Sequence, residues 1–169
     1  GNTIPRFAYG FNLNFGWKGF AVEAQFQGVG DVSVYPSSNM AFGLYNGAGL
    51  TKQWVRDSWS ATNRNTEYPL LTTYPEAGEN FQNSTLWLQD ASYLRLKNIQ
   101  LGYSFGDRIL KKIRLKALRV FMNIDNLATW SHNTGYTPEI GGTALAFGID
   151  TGDTYPMPTT ITFGVNVSF

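Results

Sequence analysis

The sequence contains no cysteine, which removes disulfide frameworks, thiolate metal sites and cysteine nucleophiles. Charge is also sparse. Charged residues make up 15% of the chain, against about a quarter in an average soluble domain. The formal net charge is +1, so bulk electrostatics point to neither nucleic acid nor an anionic surface. No apolar run approaches the roughly 18 residues that a membrane helix needs, and mean hydropathy is −0.22. Hydropathy alone would read as a water-soluble protein, yet transmembrane β-barrels defeat that measure because lipid-facing and lumen-facing residues alternate and average out. No signal peptide is visible, and the chain opens on Gly1 rather than Met. An exported protein must have carried such a leader, so either it was removed or the chain is a piece of a longer one, and the second is the expectation here.

What the chain does have is aromatics, at 15%, and 18 glycines among its 169 residues, a length that suits one domain. Period-two alternation dominates. Phe7, Tyr9, Phe11, Leu13 and Phe15 share one face of a first strand (about 6–15), with Ala8, Gly10, Asn12 and Asn14 on the other. A turn at Gly16-Trp17-Lys18-Gly19 leads to a second strand (about 20–27), where Phe20, Val22, Ala24 and Phe26 alternate with Ala21, Glu23, Gln25 and Gln27. A third strand spans about 86–105. Its phase reverses midway, since Leu94 and Leu96 oppose Arg95 and Lys97 whereas Ile99, Leu101, Tyr103 and Phe105 oppose Asn98, Gln100, Gly102 and Ser104. Either a β-bulge intervenes or the basic pair sits beyond the hydrocarbon. A basic helical turn at Arg108, Lys111 and Lys112 precedes a fourth strand (about 118–127), and the last strand (about 159–169) alternates to its final residue.

The connections alternate in length: short at 16–19, long at 28–85, short at 106–117, long at 128–158. Up-and-down pairing would therefore put both long loops at one end, as in outer-membrane barrels with short periplasmic turns and long extracellular loops. A soluble two-layer sandwich also alternates, but usually carries Lys and Glu on its polar face; here that face is Asn, Gln, Ser, Thr and Gly. Tyr9, Phe15, Trp17, Phe20, Trp87, Tyr93, Tyr103 and Phe105 lie near strand ends, where interfacial girdles form. Five strands cannot close a membrane barrel, which needs at least about eight. The expected fold is all-β, with the missing strands supplied by a longer parent chain or by an oligomer.

Several ordered motifs carry a family resemblance. Ser92 to Tyr103 reads SYLRLKNIQLGY and resembles the "SYLRLKNI-x-LGY" signature of SusC/RagA proteins. Leu118-Arg119-Val120-Phe121, then Asn126-Leu127-Ala128-Thr129-Trp130, are similar to that family's "NL-x-TW" region. Gly135-Tyr136-Thr137-Pro138-Glu139 resembles "GYDPE" with Thr137 replacing Asp, and Tyr155-Pro156-Met157-Pro158 with Thr162 to Val167 resembles "YP-x-P…TFGLNV". Weaker matches fall at Lys18-Gly19-Phe20 and Phe26-Gln27-Gly28. The resemblance implies the last five antiparallel strands of a 22-stranded transmembrane barrel around a plug, in the outer membrane of a Gram-negative, Bacteroidetes-type bacterium, with residues 1–169 all in the barrel part. It implies TonB-dependent import of oligosaccharides or peptides with a SusD-like surface lipoprotein. TonB itself would be contacted through an N-terminal part that this chain does not contain. A passive porin-like channel and a soluble carbohydrate-binding β-domain are the competing readings.

No nucleophile–base constellation stands out, so no enzyme activity and no cofactor are expected. His132 is a lone loop histidine. Asp150 and Asp153 could offer oxygen ligands to Ca²⁺, although turn-forming Asp is the commoner role in a Gly-rich loop. Tyr45, Trp54, Trp59, Tyr68 and Tyr74 in the first long loop, with Trp130 and Tyr136 bordering the second, are candidates for contact with substrate or lipoprotein. Loop packing is the competing role for each. Phe163, Val165, Val167 and Phe169 resemble the C-terminal signal read by the barrel-assembly machinery, for which β-augmentation supplies the physical mode.

Overall fold

The computed structural model describes residues 1–73, 82–142 and 146–169. It divides into two compact units, one holding Pro5–Val32, Ser92–His132 and Pro156–Phe169, the other Gly1–Ile4, Ser33–Ala91 and Asn133–Tyr155. Among the described residues no helix is long and apolar enough to cross a membrane, which says nothing of crossing by strands.

The first unit is a five-stranded sheet. Its strands are β1 (Phe7–Trp17), β2 (Phe20–Gly30), β5 (Tyr93–Ser104), β6 (Ala117–Ser131) and β8 (Thr160–Ser168), in the order β1-β2-β5-β6-β8 and antiparallel throughout. The β1–β2 turn is tighter than the four residues expected. Trp17 pairs with Phe20, leaving only Lys18 (φ 46°) and Gly19 (φ 91°) in left-handed conformation, the geometry that suits a two-residue hairpin. Between β5 and β6, helix α3 (Asp107–Ile113) occupies the position of the basic helical turn.

The phase reversal in the third strand is a bulge at Lys97. Against β2, Gln25 pairs with Asn98 and Phe26 with Leu96; against β6, Asn98 pairs with Asp125 and Leu96 with Ala128. Lys97 is left out of both ladders, so Leu94 and Leu96 return to the face of Ile99 and Leu101. The matching irregularity in β6 falls at Asn126, at φ 53°. Its side chain donates to the Pro158 carbonyl (3.2 Å), and Thr159 Oγ1 donates to its own carbonyl (2.9 Å), which ties the start of β8 to the bulge.

Register then sorts the apolar face into rows. Leu13, Ala24, Ile99, Ile124 and Ile161 form an aliphatic line across all five strands. Toward one end lie Trp17, Phe20 and Tyr103; toward the other lie Tyr9 and Trp130. The ten steps from Phe7 to Trp17 span about 34 Å of strand at ~3.4 Å each, or roughly 26 Å of height at a ~40° tilt. That matches the ~25 Å apolar band of a membrane barrel. The face is bare: Phe7, Phe15 and Trp17 are 63%, 66% and 60% exposed. A sandwich would have packed these rings against a second sheet, so the soluble-domain reading fails here.

Two glycines make room for rings. A Cβ on Gly28 would lie 2.4 Å from the Tyr93 carbonyl and 2.5 Å from the Tyr9 ring, whose hydroxyl donates to that carbonyl at 2.9 Å. A Cβ on Gly164 would lie 2.2 Å from Phe121, the one ring on the otherwise polar face of β6. Gly164→Ala is therefore expected to destabilise the folded full-length barrel by about 1–3 kcal/mol, and Phe121→Ala should relieve it. Gly28→Ala should not be rescued by Tyr9→Ala, because a backbone oxygen also blocks that Cβ. Denaturant titration of the four variants in lipid vesicles checks both statements; equal rescue at both sites would refute the distinction.

The second unit is built from excursions between the long strands. β3 (Ser33–Pro36) is central to a small sheet, pairing antiparallel with β4 (Gln89–Asp90) and parallel with β7 (Ile149–Asp150). Ser33 N–H also donates to the Asn2 carbonyl at 2.7 Å. This corrects the long third strand: the segment 86–92 does not continue β5, because Gln89 and Asp90 pair with β3 instead. The excursion also holds α1 (Ser38–Ala41), a 3₁₀ turn (Tyr45–Gly47) and α2 (Lys52–Asp57). Thr51 caps α2 by accepting from the Trp54 N–H at 3.3 Å.

Candidate functional site

Two surfaces carry polar or recognition chemistry, and each belongs to one unit. The first is the polar face of the long sheet. Alternation places Asn12, Gln25, Asn98, Asp125 and Thr160 in one cross-strand row, and Asn14, Glu23, Gln100, Asn123 and Thr162 in the next. Side chains in these rows bond to one another. Asn98 Nδ2 donates to Asn123 Oδ1 (2.8 Å) and Asp125 Oδ1 (2.7 Å), while Asn123 Nδ2 donates to Asp125 Oδ2 (3.1 Å). Arg119 donates to Gln100 Oε1 at 2.9 Å and lies 3.9 Å from the Glu23 carboxylate. Arg95, 2% exposed, donates through Nε to Thr129 Oγ1 at 2.8 Å, with its guanidinium 5.3 Å from the centre of the Tyr93 ring. The wall is thus rich in amides and hydroxyls, and its few charges are engaged by neighbours. A shallow depression between Asn12, Asn14, Glu23, Gln25 and Asn98 offers several such groups to a solute or to another protein surface.

The second surface is the loop unit. Its core is Ala41, Trp54 and Trp87, with Tyr35, Phe42, Tyr68 and Leu71 packed against it. Trp54 and Trp87 stack at 6.1 Å, and Tyr68 meets Trp54 edge-on at 4.8 Å. Trp54 Nε1 donates to the Ala41 carbonyl at 3.0 Å. Burial, then the carboxylates of Glu67 and Asp57, raise the Tyr68 phenol above its ordinary range. Asp57 is held below the usual carboxylate range by its hydrogen bonds from Arg56, which is raised in turn.

This geometry sorts the residues singled out from sequence. Trp54 is a correction: at 3% exposed it is a core residue and offers no surface to a ligand. Tyr68 is half-buried against it, and Tyr45 packs at 5.8 Å on Phe42. Trp130 is a second correction, since its register opposite Leu94 puts it on the apolar outer face, 54% exposed, where it suits a girdle rather than a solute. Trp87 is likewise loop core at 5% exposed, and Tyr93 is buried, so neither is a girdle residue. Trp59 and Tyr136 are exposed at 41% and 66% and keep free ring surface. Tyr74 lies outside the described residues. Asp150 is 2% exposed and accepts from the Gly152 N–H at 2.9 Å, while Asp153 accepts from the Thr151 hydroxyl at 2.8 Å. Each carboxylate is engaged in its own local turn. Phe163, Val165, Val167 and Phe169 are 76%, 60%, 44% and 81% exposed on or at the end of β8.

Sequence reasoning missed the Phe121–Gly164 contact and the Asn98–Asn123–Asp125 cluster. The second was within reach, since the polar positions of adjacent strands must face one another once register is set.

The sheet, with one bare apolar face, one amide-rich face and long connections confined to one end, is a segment of an outer-membrane β-barrel wall. No protein-family model matches the chain. It is 30% identical over 178 residues to TonB-dependent receptor P3 of Formosa agariphila, and 29% identical over 174 residues to receptor P39 of the same organism. Each alignment covers 100% of this chain and 17% of the relative, so the chain spans about a sixth of the curated relatives' length. Among solved structures, the RagAB peptide importer in its open-open state matches 98% of the chain with a TM-score of 0.76 and 27% identity, over 17% of that chain. Its closed-closed state matches 99% of the chain with a TM-score of 0.77 and 26% identity, over 18% of that chain. Over its whole length the chain is thus similar to a barrel segment of TonB-dependent receptors and of the RagAB-type importers.

Proposed function

We propose that the full-length protein is a TonB-dependent importer that takes up oligosaccharides or peptides together with a SusD-like lipoprotein. The observation that carries this reading is the match, over nearly the whole chain, to the barrel of a peptide importer. The amide-rich wall supports it, because polar solutes and a polar plug both need hydrogen-bond partners inside a barrel. The strand ends at Gly30, Tyr93, Ser131 and Thr160 face the cell exterior, and the β1–β2 turn and α3 face the periplasm. Phe169 is then periplasmic, at the end of a strand that serves as the assembly signal. Trp59 and Tyr136 are exposed loop aromatics offered to substrate or lipoprotein.

The test is uptake of labelled oligopeptides and oligosaccharides by cells carrying the full-length protein and its lipoprotein. Uptake should fall to background when TonB is removed or the proton gradient is collapsed. Uptake that survives both treatments would sink active import in favour of passive diffusion.

A further inference from the structure

The net charge of +1 conceals a strong asymmetry. Six of the 13 Lys and Arg residues (Lys18, Arg108, Lys111, Lys112, Arg114 and Lys116) lie in the two short connections at one end of the sheet, where Asp107 is the sole acid. The rest of the chain then carries seven basic residues against eleven acids. All six cations are exposed.

Their setting identifies the partner. Helix α3 is held to the sheet by Leu110, 7% exposed, while Ile109 and Ile113, one turn apart, stay 44% and 47% exposed. Beside them the apolar band ends in Phe15, Trp17 and Phe20, and Lys18 Nζ sits 4.9 Å over the Trp17 ring. Cations bordering a bare apolar band at its aromatic rim occupy headgroup level, where long side chains reach out of the hydrocarbon. A protein ligand would have to cover those aliphatic and aromatic side chains; a bilayer covers them already.

We propose that this end of the barrel segment is a binding surface for anionic phospholipid headgroups. The proposal rests on the barrel orientation given above, with α3 on the periplasmic side. Each basic side chain near an anionic membrane surface adds roughly a fivefold preference. The full-length transporter, reconstituted in nanodiscs of phosphatidylethanolamine and phosphatidylglycerol and released into native mass spectrometry, should retain phosphatidylglycerol at least roughly tenfold above its bulk share. The combined variant Arg108→Gln, Lys111→Gln, Lys112→Gln should lose most of that enrichment, and Lys52→Gln with Arg64→Gln should keep it. Heat-modifiable gel mobility verifies that every variant is folded. No enrichment in the wild type, or full enrichment in the triple variant, would overturn the proposal. A Lys112→Cys variant separates this from the orientation: an impermeant maleimide should label it only after the outer membrane is permeabilised. Labelling in intact cells would overturn orientation and headgroup site together, whereas lipid indifference with periplasmic labelling overturns the site alone.

Discussion

Trp54→Ala is expected to unfold the loop unit while the barrel strands stay intact. The substitution removes a side chain that is 3% exposed, its stack with Trp87 and its edge contact with Tyr68. Buried Trp→Ala changes cost about 3–5 kcal/mol, which is large for a core of three buried residues with four more packed against it. Limited proteolysis of the full-length protein should show new cleavage between residues 33 and 91, with the heat-modifiable mobility of the barrel unchanged. Trp54→Phe should give a milder version, because it keeps an aromatic ring but loses the hydrogen bond to Ala41. An unchanged cleavage pattern in Trp54→Ala would mean that the cluster does not hold the loop.

Ile124→Arg should be the most damaging change on the sheet. Ile124 sits in the aliphatic row between Ile99 and Ile161, midway between the two aromatic ends. An Arg at the bilayer midplane of a barrel costs about 2–4 kcal/mol, falling to about 0–1 near the interface. Trp130→Arg, at the aromatic rim, should therefore cost far less in electrostatic terms. The neighbouring Asn123→Arg points its charge to the polar face and should avoid the lipid penalty altogether. Reversible denaturant unfolding in vesicles ranks the three; a ranking that puts Asn123→Arg first would reverse the assignment of faces.

Much of this sheet was legible because two-residue periodicity is a local property. Phe7 to Phe15 and Ile161 to Phe169 reveal their faces without knowledge of any partner. Even the bulge left a trace, as the phase slip at Lys97, although only the cross-strand register shows that the ladder rather than the bilayer edge accounts for it. The loop unit was not legible for the opposite reason. Trp54 and Trp87 meet across 33 positions of irregular chain, and nothing local distinguishes a ring that packs inward from one that greets a ligand. Hence Trp54 looked like Trp59. Trp130 was misjudged because its motif ends at a loop border, whereas β6 continues to Ser131 and fixes its side. The start of the third strand failed likewise, since Gln89 and Asp90 alternate acceptably but find a different partner in β3.

The small sheet β4-β3-β7 takes β3 from the connection after β2 and β7 from the connection after β6. The two long connections are consequently one structural object. Chimeras that exchange a single loop between related transporters would strand half of a parallel ladder, and selection acting on either loop must be answered in the other. A designer seeking to graft either connection onto another barrel should move both.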